Sequence, residues 1–214
     1  MRNRWWAVGL AVLLVLSACS TVTGSGQVVT ETRQVSGFTA VDLSGSGEVI
    51  IEQGDTESLT IEADDNVQPR LTSEVSGSTL KLGKKRGFTI NTQNPIRYRV
   101  TVEDLTGVAV SGSGSVRAQD MTLRMLAVDI SGSGTVEISG SVVEQDIDVS
   151  GSGKYLAADL QSEKVTADIA GSGEVTVTVS RELIVDISGS GTVTYSGDPS
   201  VEESISGSGR LIKK

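Results

Sequence analysis

Hydrophobic and polar residues alternate with a two-residue period along most of the chain, and the alternation recurs in one repeated phrase. The phrase reads apolar, Asp, apolar, Ser-Gly-Ser-Gly, polar, apolar, and its first copy runs from Val41 to Val49. In an extended chain Val41 and Leu43 lie on one side, and Asp42 and Ser44 lie on the other. This period predicts β-strands rather than helices. It also places both glycines of each phrase inward, where they leave room for a bend or a close backbone approach.

The phrase occurs seven times, with its first glycine at positions 45, 112, 132, 151, 171, 189 and 207. From position 112 onward the spacing is 20, 19, 20, 18 and 18 residues. A strand of about 19 residues would be roughly 60 Å long, so each unit must turn two or three times and return onto the preceding one. The sequence therefore predicts an all-β fold, a right-handed parallel β-helix-like stack of about 18–20-residue Gly-Ser-Gly repeats.

The region between the first two copies follows the pattern less strictly. It separates their first glycines by 67 residues, a gap that could hold about three such units with an insertion. It also contains a basic cluster, Lys84-Lys85-Arg86-Gly87, which is either a solvated loop tip or a contact for an anionic ligand. The best helix candidate of the chain, residues 156–165, lies between two copies at ordinary spacing, so we predict strand and turn there.

The N-terminus has the features of a secretory signal. A basic start is followed by an apolar run from Ala7 to Leu16, about half the ~20 residues that a membrane span needs. The run ends in Leu16-Ser17-Ala18-Cys19, which resembles the lipobox of bacterial lipoproteins and implies cleavage before Cys19 and acylation of that residue. We therefore expect a signal peptide at 1–18, a lipidated Cys19 with a flexible linker over 19–35, and a β-helical domain over 36–214.

The charge and composition of the chain exclude several classes of function. The chain has 18 basic and 27 acidic residues, no His and one Cys, which excludes an intramolecular disulfide framework, Cys-rich metal sites and His-based catalysis. The acidic balance argues against nucleic acid as a partner. Loss of Arg2 and Arg4 with the signal takes the net charge from −9 to −11, so we expect attachment through acyl chains alone. We expect no cofactor, no catalytic residues and no metal ligands, which leaves Cys19 as the predicted site.

Two outward columns carry the candidate chemistry. The Asp column occupies one repeat position and comprises Asp42, Asp129, Asp148, Asp168 and Asp186. Its carboxylates either bind calcium or accept hydrogen bonds from nearby backbone amides, and the second interpretation is favoured. The Ser column could form a ladder of hydroxyls and comprises Ser46, Ser113, Ser133, Ser152, Ser172, Ser190 and Ser208. With no His in the chain and no Lys placed beside them, we expect these serines to be structural rather than nucleophilic.

Beyond the repeats themselves, the flanking segments carry a family resemblance. They are Phe38-Thr39-Ala40-Val41 before the first Gly-Ser-Gly, residues 59–66 and residues 98–102. In this order, from about Val35 to the C-terminus, the chain resembles the bacterial family described as putative auto-transporter adhesin, head GIN domain. The resemblance implies a helix-like stack of strands on secreted or envelope-anchored proteins, and it brings no catalytic residues to transfer.

These observations predict a lipid-anchored cell-envelope module, outside the cytoplasm in the outer membrane and periplasm or at the cell surface, that binds or adheres without catalysis. Its partners would be the membrane, through acyl chains on Cys19, and an envelope or surface component that the sequence does not identify. A structural spacer or envelope-stress accessory is the alternative. A polysaccharide-active enzyme is less favoured, because the adjacent Glu202 and Glu203 point to opposite faces of a strand. Self-association is a further hypothesis, with Lys213 and Lys214 guarding the open last unit.

Overall fold

The computed structural model describes residues 20–214, so the predicted signal peptide and Cys19 lie outside the described residues. The described chain is nearly all β, with 73% strand and 2% helix. A short 3-10 helix spans Gln68–Arg70. The strands of the N-terminal part are β1 (Ser20–Thr23), β2 (Val28–Arg33), β3 (Ala40–Gly45), β4 (Glu48–Gln53), β5 (Ser58–Asp64), β6 (Leu71–Ser76), β7 (Thr79–Lys84), β8 (Phe88–Asn91) and β9 (Arg97–Val102). The strands that follow are β10 (Gly107–Gly112), β11 (Ser115–Gly132), β12 (Thr135–Gly151), β13 (Lys154–Gly171), β14 (Glu174–Gly189), β15 (Thr192–Ser196), β16 (Ser200–Gly207) and β17 (Arg210–Lys213).

Parallel coils stack into a β-solenoid of about five turns, which confirms the predicted fold class. The long strands β11 to β14 each follow one coil and pair in parallel with the next. In β11 the alternation of buried and exposed residues is interrupted at Gln119-Asp120 and again at Arg124-Met125. Together with the Gly-Ser-Gly corner, these interruptions divide each coil into three short faces. The right-handed sense of the stack stays a prediction.

The two glycines of each phrase have different roles. The first glycine turns the corner with φ between 106° and 130° in all seven copies, a left-handed region that favours glycine. It is partly or fully exposed, so the expectation that it faces inward is wrong. The second glycine does lie inward: a Cβ on Gly153 would stand 2.3 Å from Cγ2 of Ile130 on the coil below. The first glycine therefore serves the bend, and the second serves the close packing of coils.

The gap could hold further units between the first two copies, but the structure places none there. Gly45 pairs directly with Gly112, and β4 pairs with β11, so these two copies lie on adjacent coils. The intervening strands lie on the other side of the first copy, where β7 joins β3 and β9 joins β4. Identical phrases match column for column, whereas the looser sequence between them adds antiparallel strands at the N-terminal end, with β6 on β7 and β5 on β9.

The segment that we predicted to be a flexible linker is part of the fold from residue 20 onward. β1 pairs in parallel with β8, and β2 pairs in antiparallel register with β5. Side chains add to this attachment: Asn66 donates its amide to the carbonyl of Thr23 at 2.7 Å, and the Ser25 hydroxyl donates to Asp65 at 2.5 Å. The small polar residues of this segment suggested a tether, but its β-branched Val and Thr residues fit the free edges of the stack.

The core is a set of aliphatic columns with one polar cluster among them. Val41, Val108, Val128 and Ile147 follow one another on successive coils, all buried. The polar cluster joins three inward side chains: the Tyr155 hydroxyl donates to Oε1 of Gln145 at 2.5 Å, and the Gln145 amide donates to Oγ of Ser162. Burial raises the pKa of the Tyr155 hydroxyl, which keeps it protonated as a donor. Sequence periodicity predicts that these positions are inward but not that they meet.

Candidate functional site

The face of the coils that follows each Gly-Ser-Gly corner carries charges of alternating sign, and we call it the charge-paired face. Five side chains on five neighbouring strands form a continuous chain of ion pairs: Glu62, Arg97, Glu48, Arg117 and Glu137. The nitrogen–oxygen distances along this chain are 3.4, 3.0, 2.9 and 3.1 Å. The hydrogen bond from Arg117 to Glu137 is the largest of the effects that raise the pKa of Arg117. Arg97 and Arg117 each lie between two carboxylates, so neighbouring charges along this chain are opposite in sign.

The face that precedes each corner is different, and we call it the Asp face. Its central column confirms the predicted stacking of aspartates and also contains residues that do not follow the phrase. In register order the column reads Lys81, Asp42, Ala109, Asp129, Asp148, Asp168, Asp186 and Ser204. Four aspartates thus follow one another on successive strands, which in a parallel sheet lie about 4.8 Å apart.

The carboxylates of the Asp column accept no hydrogen bond from residues 20–214, so the favoured interpretation, local bonding to backbone amides, is wrong. The pKa of Asp168 is raised, first by partial burial and then by the negative charges of Asp186, Asp148 and Asp146. The pKa of Asp42 is also raised, mainly by burial, while Lys81 opposes the shift and Asp129 adds to it. Lys81 partly compensates Asp42 at one end of the column, whereas the consecutive aspartates from Asp129 to Asp186 repel one another and form no ion pair within residues 20–214.

A groove of about 550 Å³ crosses the Asp face, and we call it the Asp groove. Small residues form its floor, among them Gly107, Ala109 and Ala127, where a larger side chain would fill the space. Its walls carry charge, and they are lined by Lys81, Asp42, Asp129, Asp146, Asp148 and Asp168. Asp146 was missed by the sequence analysis, although it lies two positions before Asp148 and therefore on the same side of the strand. The groove can attract a positively charged group of a partner.

The remaining predicted positions fall elsewhere. The Ser column lies exposed at the corners, and its main-chain amides bond the preceding coil, as in Ser152 N to Gly132 O at 2.8 Å. In the described chain no hydrogen bond joins two hydroxyls of this column; the one serine pair found is Ser111 to Ser44, in the neighbouring column. Within residues 20–214 no group of three His, Cys, Asp or Glu side chains is placed to hold a metal ion. Among the same residues, no helix has the length and apolarity to cross a bilayer.

The fold and its outward faces define a class, a β-solenoid that displays a charged groove on a stack of parallel coils. The family model described as putative auto-transporter adhesin, head GIN domain matches residues 37–199, and the chain belongs to that family. The family description refers to adhesion and names no catalytic activity.

Solved structures agree with this assignment. A putative adhesin from Bacteroides fragilis NCTC 9343 is 22% identical with a TM-score of 0.73, and the match covers 90% of this chain and 99% of that one. A putative lipid binding protein from Parabacteroides distasonis ATCC 8503 is 26% identical with a TM-score of 0.62, covering 91% and 100%. The first likeness supports the fold alone. No curated protein matches the sequence.

Proposed function

We propose that this protein is a lipid-anchored module of the bacterial cell envelope that binds a partner through the Asp groove and performs no catalysis. Its family and a structural neighbour carry the description adhesin, which favours binding over chemistry. The lipobox-like Leu16-Ser17-Ala18-Cys19 supports the anchor, with acyl chains on Cys19 as the attachment. The name of a second neighbour, a putative lipid binding protein, is compatible with a place at a membrane.

The observation that carries the binding role is the contrast between the two charged faces. On the charge-paired face, Arg97 and Arg117 each bridge two glutamates. On the Asp face, like charges follow one another, and none is neutralised by a described hydrogen bond. Residues that lower stability without a structural gain are typical of functional surfaces. A partner with a positively charged group would remove this repulsion on binding.

Co-sedimentation with envelope material tests the proposal. The mature lipoprotein, produced from the full chain, is inserted into vesicles and mixed with isolated envelope fractions and polysaccharides. We expect saturable binding to one fraction, which the triple variant Asp129→Asn/Asp148→Asn/Asp168→Asn lowers at least tenfold. The matched control Glu52→Gln/Asp55→Asn/Glu103→Gln removes the same charge from exposed positions outside the Asp groove and should bind as the natural protein does.

Two other results would change the assignment. Equal binding by the Asp variant and its control would place the contact outside the Asp groove. Absence of saturable binding to every fraction would contradict adhesion and favour the spacer or accessory role. Mass spectrometry of the purified protein tests the anchor separately, since the proposal predicts a mature N-terminus at Cys19 carrying acyl chains, and a Cys19→Ala chain that retains residues 1–18.

A further inference from the structure

A basic edge stands out on this acidic molecule. Lys84 ends β7, Lys85 and Arg86 lie in the exposed loop between β7 and β8, and Arg70 lies next to them. None of these four side chains forms an ion pair with an acidic side chain of residues 20–214. Four uncompensated cations therefore gather at one place on a chain whose net charge is −9.

The loop is held in place by several contacts. Lys84 donates from Nζ to the carbonyl of Phe88 at 2.6 Å, and the main-chain amide of Lys85 donates to the carbonyl of Arg70 at 2.8 Å. The Arg70 guanidinium lies 4.4 Å from the centre of the Phe88 ring, a cation–π contact. The basic edge, Arg70 with Lys84, Lys85 and Arg86, is thus a defined surface on the folded stack.

The pairing of β1 brings the N-terminal end of the described chain to this edge. Ser20 is in register with Phe88, and its amide donates to the carbonyl of Gly87 at 3.0 Å. Cys19 is bonded directly to Ser20, and one trans peptide separates consecutive Cα atoms by about 3.8 Å. The residue for which we propose acylation is therefore joined, with no intervening linker, to a strand beside the basic loop.

We propose that the basic edge docks on the anionic phospholipid headgroups of the bilayer that holds the acyl chains. This inference rests on the lipid anchor of the proposed function. Anionic headgroups attract Lys and Arg within about 10 Å, and each such residue raises the surface partition about fivefold. The stack then stands on the membrane by its N-terminal end, with the Asp groove held at a fixed height. This replaces the expectation of attachment through acyl chains alone on a free tether.

Energy transfer in vesicles tests the docking. Because acylation occupies Cys19, a single introduced cysteine accepts one donor dye, at Thr89→Cys beside the basic loop or at Ser208→Cys on the last coil. The lipoprotein is placed in vesicles of 70% phosphatidylethanolamine and 30% phosphatidylglycerol that carry acceptor dye on their headgroups. We expect strong transfer from position 89 and weak transfer from position 208, and a fall at position 89 in 0.5 M NaCl or in pure phosphatidylcholine.

Charge variants make the test specific. Lys85→Gln/Arg86→Gln should lower the ratio of docked to undocked protein about 25-fold, since it removes two contributions of about fivefold each. Arg124→Gln/Arg210→Gln removes two exposed arginines that form no ion pair in the described chain, and it should leave the transfer unchanged. If energy transfer at position 89 is unchanged by salt, by lipid composition and by Lys85→Gln/Arg86→Gln, the docking proposal is wrong, although the lipid anchor could still hold. Failure of every variant to float with vesicles would overturn the anchor itself.

Discussion

The charge-paired face and the Asp face are built on the same coils and separated by one glycine corner, yet they treat charge in opposite ways. On the first, Glu48 accepts from both Arg97 and Arg117 at 2.9–3.0 Å, so opposite charges on adjacent strands stabilise the register. On the second, Asp148 stands between Asp129 and Asp168. Adjacent like charges lower stability, so the sheet itself gains nothing from this arrangement.

This difference shows that the stacking of coils alone does not explain why Asp recurs at one position of the repeat. A parallel stack aligns any residue with its copy on the next coil, so a repeated Asp necessarily faces another Asp. Ion pairing requires the repeat to be broken, as it is where Arg117 meets Glu137 and Lys154 meets Glu174. The Asp position carries its charge in four consecutive coils, an arrangement that the proposed binding surface would use and that a spacer would not need.

The largest effect is expected where the two faces join. Gly153→Val would place a side chain against the preceding coil. Its new Cβ would lie 2.3 Å from Cγ2 of Ile130 and 3.2 Å from the carbonyl oxygen of Gly134. We expect a loss of about 3 kcal/mol in the free energy of unfolding, because neither the coil below nor the corner can move away. Urea denaturation measures this loss. Ser152→Val, at the exposed position next to it, should cost less than about 0.5 kcal/mol; equal costs would mean that the corner is loosely packed.

Reversal of one charge should convert the charge-paired face into a second repulsive column. Arg117→Glu places a third carboxylate between Glu48 and Glu137, and we expect a loss of about 1 kcal/mol after solvent screening. Arg124→Glu, at an exposed arginine without a described ion pair, is the matched reversal and should change stability by less than about 0.5 kcal/mol. Thermal unfolding at low and high salt compares the two. A loss that high salt does not reduce would not be electrostatic.

The Asp column is interrupted at Ala109, so a charge can be added there to test whether the column is repulsive. Ala109 lies between Asp42 and Asp129 in register, so Ala109→Asp would complete the column. We expect a loss of about 0.5 kcal/mol from the added repulsion. Ala109→Asn fills the same volume without charge, and its stability relative to Ala109→Asp isolates the electrostatic part. If the aspartate variant is the more stable of the two, the column is not repulsive.

The smallest effect is a pH dependence on the Asp face. The pKa of Asp168 is raised in the folded protein above its ordinary value of 3.8, chiefly by burial and then by neighbouring carboxylates. Its contribution to stability is therefore present below pH 3.8 and is lost as the pH rises through the folded pKa. Asp168→Asn should thus be more stable than the natural protein at pH 7, by a few tenths of a kcal/mol, and the two should converge in acid. If the stabilities of the two proteins instead differ more as the pH falls, the stated effect of Asp168 on stability has the wrong sign.

Much of the solenoid could be predicted because equivalent positions of a repeated phrase pair with one another on adjacent coils, which fixes the strand register. The spacing of the glycines gave the coil length, and the phrase gave the stacking of Asp129 on Asp148 and Asp168. The nonrepeating part could not be predicted in this way. Nothing local in the sequence shows that Gly45 stacks on Gly112 across 67 residues, or that residues 20–33 fill free strand edges, because both depend on long-range pairing.

The candidate site was predicted only in part, for a similar reason. The Asp column follows from the repeat, whereas the Asp groove also needs Lys81 on β7 and the small residues of its floor, which come from separate segments. The basic edge likewise depends on the pairing of Ser20 with Phe88. A cluster of basic residues in the sequence allowed both a solvated loop and an anion contact, and only the fold places it beside the N-terminal strand.

The free energy of unfolding of Asp129→Asn/Asp148→Asn/Asp168→Asn at pH 7 and low salt tests the central claim most directly. If the Asp face serves a partner and not the fold, removal of its repulsion should make the protein more stable than the natural chain, by about 1 kcal/mol over the three sites. The same variant should lose binding. A variant that is less stable than the natural protein would show that these aspartates hold the solenoid together, and it would contradict the binding role assigned to them.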